Sequence, residues 1–170
     1  MAFMPVFGLN NGMIPIISYN YGAQKPDRMK RTMKLGVIVG CSIMVFCLAI
    51  MQVFPGQILK IFDATDEMLL MGIPAVRIMS TAFIFAGFSV TCSGMFQAVG
   101  KGVYSMIVSM ARQLFVILPV AYFLSKAMNS VNGVWAAFPI AEVFSVIIST
   151  IFLLRVYKKI VKPMESVQRD

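Results

Sequence analysis

The chain has 170 residues, 59% of them hydrophobic and 13% charged, with 15 Met, 14 Phe and a formal net charge of +8. Soluble domains carry about 25% charged residues, so this composition excludes an ordinary water-soluble globule and places the chain in a bilayer. Histidine is absent, which removes Ser-His-Asp hydrolases and histidine-based metal centres, and no enzyme and no metal are expected.

The basic residues crowd into two stretches, Lys25 to Lys34 and Arg155 to Arg169, each beside a long uncharged run. That placement marks cytoplasmic ends of membrane helices, not a nucleic-acid surface, so no nucleic acid partner is expected. Cys41, Cys47 and Cys92 lie in apolar runs and form no Cys-x-x-Cys pair. They read as small packing residues. The segment Met1-Ala-Phe-Met-Pro5 has no positive flank or cleavage site, so it is no secretory signal, and it starts almost inside an apolar run.

A crossing of about 30 Å takes roughly 20 helical residues. Five stretches meet that length: residues 3–21, 35–54, 73–99, 103–124 and 133–154. None alternates as the strands of an outer-membrane barrel do, so the fold class is all-α, a polytopic transmembrane helix bundle. The first run is uncharged but holds Pro5, Asn10, Asn11 and Pro15. Pro26 fits the first turn of the second helix, and Pro55-Gly56 is a stop signal at its end. Ile58 to Phe62 is expected along the membrane interface, and Thr65 before Asp66 and Glu67 is an N-cap with acids in the first turn. Asn129 to Gly133 reads as a turn with Trp135 at the interface beyond it. Pro15, Pro74, Pro119 and Pro139 place a kink-forming residue in four of the runs.

Counted by Lys and Arg alone, the segments after successive runs carry five, one, one, one and five. Two strongly basic ends share one side if five crossings separate the N-terminus from the tail. The orientation expected is N-terminus outside, with residues 155–170 a cytoplasmic basic tail.

Arg112 and Glu142 are ionisable residues inside apolar runs, and such residues are functional candidates with a partner to be found. They lie at similar depths of consecutive antiparallel runs, about 4 to 5 Å apart in height, so an ion pair is within reach. Arg112 has an alternative, snorkelling to the interface. Asn10, Asn11, Gln97 and Gln113 either line a polar pathway or bond between helices. The Met and Phe content suits a greasy binding surface as well as lipid contact and packing.

The run Gly8-Leu-Asn-Asn-Gly-Met-Ile-Pro-Ile-Ile-Ser-Tyr-Asn-Tyr-Gly-Ala-Gln24 precedes the basic Lys25-Pro-Asp-Arg28. It resembles the second helix of the C-terminal lobe in the multidrug and toxic compound extrusion (MATE) family. Phe96-Gln-Ala-Val-Gly-Lys101, Ser109-Met-Ala-Arg-Gln113 and Gly133-Val-Trp-Ala-Ala-Phe-Pro-Ile-Ala-Glu142 are similar to the family's following elements, in its order. The resemblance covers nearly the whole chain. It implies helices eight to twelve of a twelve-helix exporter of amphipathic small-molecule substrates. Such a protein needs no cofactor beyond a coupling ion, Na+ or H+. The partners implied are the lipid bilayer and a missing N-terminal lobe with seven further helices, without which the chain is expected not to transport. The chain departs from the family in having no carboxylate in its third run, which leaves Glu142 as its own candidate for cation coupling. Two other classes are weighed beside it: a lipid-linked oligosaccharide flippase-type exporter, which would need a wide basic cavity where the interior of this chain offers at most one Arg, and a non-transporting membrane assembly subunit.

Overall fold

A computed structural model describes residues 3–128 and 132–167, and every regular element among them is helical. The first apolar run forms α1 (Met4–Gly22) and the second α2 (Pro26–Val53), with Pro26 in its first turn. A short α3 (Pro55–Ile61) follows the interruption at Phe54. Pro55 thus both stops α2 and opens α3, since its missing N–H costs nothing in a first turn. Thr65 caps α4 (Asp66–Ser80), its hydroxyl accepting from the Met68 N–H at 3.4 Å.

The third run departs from the continuous helix expected over 73–99. Its helix starts at Asp66, ends at Ser80, and resumes as α5 (Phe83–Ala98) after a bend of 53°. The bend falls at Thr81–Ala82, not at Pro74, which lies inside α4. Hydrogen bonding explains it. The Thr81 N–H bonds the Ile78 carbonyl and the Ala82 N–H that of Met79, each tightening the last turn by one residue. The Arg77 carbonyl released there accepts from the Ser80 hydroxyl at 3.1 Å and from Gln52 Nε2 at 2.9 Å. A side chain of α2 therefore satisfies the backbone of the break.

The fourth run is α6 (Gly102–Met110), a π-helical segment Ala111–Ile117 and α7 (Leu118–Met128). The fifth is α8 (Asn132–Val156), prolonged by a second π-helical segment, Tyr157–Val161, and α9 (Lys162–Val167). Both π segments stop two residues before a proline, Pro119 and Pro163. A proline lacks the N–H for its i−4 carbonyl and crowds that group, and a widened turn relieves the clash without breaking the helix. Residues 129–131 of the expected turn lie outside the described residues, and Gly133 belongs to α8 rather than to a turn. The glycine is needed there, because a Cβ on Gly133 would stand 2.6 Å from the Leu124 carbonyl oxygen of α7.

Among the described residues, three helices are long and apolar enough to cross a membrane, and the bent α4–α5 pair makes a fourth if it is one span. The first of the five expected crossings, α1, has the length with 19 residues, but Asn10, Asn11 and Asn20 lower its hydropathy. It packs against α2 and α5. The chain is a multi-pass membrane protein.

Glycines set how closely α2 and α5 approach. Gly36 and Gly40 form a Gly-x-x-x-Gly row on α2, and Gly87 of α5 meets it, a Cβ there lying 3.0 Å from the Gly40 carbonyl oxygen. Small residues at such spacing let membrane helices pack backbone to backbone. The main apolar core joins Ile17, Met29, Met33, Cys92, Phe96, Phe152, Val156 and Val161 at the basic end of the bundle.

Candidate functional site

Three helices deliver polar side chains to one cavity of about 260 Å³. Helix α1 contributes Asn10 and Asn11, and α5 contributes Ser89, Ser93 and Gln97. These last three recur every fourth residue and so fall on one face. Ser105 and Ser109 of α6 continue into Arg112 of the π segment on the opposing wall. Asn10 is buried, and its Nδ2 donates to the Val90 carbonyl at 2.9 Å. The missing side chain of Gly94 makes its room, since a Cβ there would lie 2.7 Å from the Asn10 amide carbon. Gln97 Nε2 donates to Ser105 Oγ at 3.2 Å and ties α5 to α6.

A second cavity of about 400 Å³ lies between α4, the start of α5 and α8. Its walls are greasy, built from Phe3, Met51, Phe62, Phe83, Ile117 and Phe138, and its one charged lining group is Glu142.

The two cavities meet at an ion pair. Arg112 lines the polar one, Glu142 the apolar one, and Arg112 Nη1 donates to Glu142 Oε1 at 2.7 Å. The arginine side chain keeps 24% exposure against 9% for the glutamate. Of the two arrangements open to Arg112, the structure has the pair. Glu142 Oε2 is buried without a hydrogen-bond partner among the described residues, as are the hydroxyls of Ser145 and Ser149 farther along α8. A charged carboxylate half satisfied in this way is costly to leave as it stands, and it is suited to a polar or cationic visitor.

Of the six residues singled out from sequence, Asn10, Asn11, Gln97 and Arg112 line one cavity and Glu142 is bonded to it through Arg112. Gln113 is exposed and lines neither cavity. Sequence reasoning passed over Ser89, Ser93, Ser105 and Ser109, although their four-residue spacing is a helical-face signal.

Comparison with known proteins bears on what such a bundle is. The sequence profile of the MatE family matches residues 1–123. The chain belongs to the MatE family. A similar curated relative is the multidrug export protein MepA of Staphylococcus haemolyticus, 27% identical over 131 residues, which is 77% of this chain and 28% of the relative. This MatE chain is also similar to the solved MATE multidrug transporter DinF-BH. The two are 32% identical with a TM-score of 0.83, over 94% of this chain and 35% of that one. An inward-facing MATE family transporter superposes with a TM-score of 0.85 over 97% of this chain at 18% identity, which speaks for the fold alone. These are transporters and export proteins, not enzymes. The chain spans about a third or less of the length of the relatives it matches.

Proposed function

We propose that this MatE chain is the C-terminal portion, helices eight to twelve, of a cation-coupled antiporter that expels amphipathic compounds. The N-terminus of the chain faces outside and the tail faces the cytoplasm. The Arg112–Glu142 pair carries the reading, because it joins a polar cavity to an aromatic one inside a single lobe. A flat amphipathic cation can be held by apolar surface with few polar groups, and Glu142 supplies the one negative charge of the aromatic cavity. The same carboxylate is the group a coupling Na+ or H+ reaches. Arg112 then loses its partner, and its partly exposed guanidinium is free to move toward the polar cavity.

Alternating access takes two bundles rocking about a site between them. The reading therefore places seven further helices before this chain and leaves the chain inactive alone. The oligosaccharide-flippase alternative gains nothing from the polar cavity, whose single arginine is already engaged by Glu142. The test is dye accumulation in inverted vesicles under an imposed proton or sodium gradient. One preparation carries the chain extended by its upstream reading frame, the other the chain by itself. Gradient-driven accumulation in the first and none in the second is expected. Accumulation by the chain alone, or none by the extended protein under either gradient, overturns the proposal.

A further inference from the structure

At the opposite end of the core from the aromatic cavity, a pocket of about 160 Å³ opens where α1, α6 and α8 converge. Lys101 reaches it from the start of α6, Arg155 and Lys159 from successive turns of α8 and its π-helical extension, and Tyr21 and Tyr104 line it beside them. Its frame is fixed by packing: the Tyr104 and Phe152 rings stack at 4.4 Å, and the Arg155 guanidinium lies 5.7 Å from the Phe152 ring centroid.

No carboxylate among the described residues pairs with these cations. Among the described residues, the acids at this end are Asp27 and Glu165, and both bind Lys30. Three positive groups around so small a space repel one another unless an anion joins them. Two tyrosines add hydroxyls that can donate to that anion's oxygens. Exposed apolar side chains stand within one helical turn of the lining residues. One turn away from Tyr104 and Arg155, on α6 and α8, Ile107 and Ile151 remain 41% and 46% exposed. A free phosphate has no use for that surface, whereas an acyl chain does.

We propose that this pocket binds the phosphate headgroup of an anionic phospholipid, with its acyl chains along Ile107 and Ile151. Basic pockets between membrane helices take such headgroups, each cation near the surface adding to affinity. The site is independent of the transport reading, because lipid binding can be followed without any flux.

The experiment is native mass spectrometry of the whole purified chain in detergent, offered phosphatidylglycerol or phosphatidylcholine. Preferential retention of phosphatidylglycerol is expected, and the K101Q/R155Q/K159Q variant should weaken it roughly tenfold or more. A control variant, R28Q/R31Q/K34Q, removes the same charge elsewhere at the basic end and should keep most of the preference. The single K159Q change, at an exposed position, should give a smaller loss in the same direction and guards against misfolding of the triple variant. Equal loss in the control, or no headgroup preference, overturns the proposal. Displacement of the lipid by millimolar inorganic phosphate would identify a soluble-anion site and overturn it as well.

Discussion

Arg112 and Glu142 face each other across 2.7 Å from different helices and different cavities. Each side chain is the charged group of its own chamber, and each is neutralised by the other's. A buried pair of this kind contributes little net stability, because desolvation consumes most of the Coulomb gain. Its value lies in what happens when one partner is taken: the other is left unpaired where water is scarce. The exposures are unequal, so removing Arg112 strands a carboxylate at 9% exposure, while removing Glu142 leaves a guanidinium at 24%.

Close packing of α2 on α5 gives the first prediction. Gly87→Leu must displace Gly40, Cys41 or Met44, whose atoms stand 3.0 to 3.2 Å from a Cβ at that site. It should lower stability by about 1–3 kcal/mol. Gly8→Leu, with open space around the Cβ, should be close to neutral. Unfolding of each variant in detergent measures both, and equal midpoints would contradict the packing account.

Two adjacent asparagines separate structure from transport. Asn10 is buried and bonded to Val90, whereas Asn11 is exposed to the same cavity. Asn10→Ala should lower stability by about 0.6 kcal/mol and by no more than about 1.7 kcal/mol, the average and the maximum for hydrogen bonds between membrane helices. Asn11→Ala should leave stability unchanged and alter only dye uptake in the extended protein. Unfolding curves and uptake rates for the two variants check the division.

The basic tail is docked rather than free. Val156, Val161 and Met164 are buried, and Lys30 of α2 reaches Glu165 at 2.7 Å. The pair is partly exposed, so salt should weaken it. Glu165→Gln should speed limited tryptic cleavage after Lys158 and Lys159, and high salt should do the same to the unaltered chain. Asp27→Asn should matter less, because Asp27 is 79% exposed and 3.1 Å from Lys30. Cleavage followed by mass spectrometry gives the comparison.

Much of this is legible in the sequence for physical reasons that can be named. Uninterrupted apolar runs must be helices in lipid, because no other open structure satisfies the backbone there. Equal depth on antiparallel helices brings Arg112 to Glu142, and Thr65 before two acids marks a cap. The break at Thr81–Ala82 is hidden, because it has no proline or glycine and depends on Gln52, 25 residues from the Arg77 carbonyl that it caps. The serine rows on α5 and α6 are present as a four-residue period, but only the cavity shows that the two rows face each other. Pro119 reads as a kink, whereas the chain widens into a π turn before it.

The most direct measurement is a double-mutant cycle on gradient-driven dye uptake by the extended protein, using Arg112→Met, Glu142→Gln and the two combined. If the pair joins the cavities and acts as one unit, the double variant should lose about as much as the worse single one, with a coupling of roughly 0.5–3 kcal/mol in the logarithm of the rate. Strictly additive losses, with coupling near zero, would contradict the account and leave two unrelated charged residues.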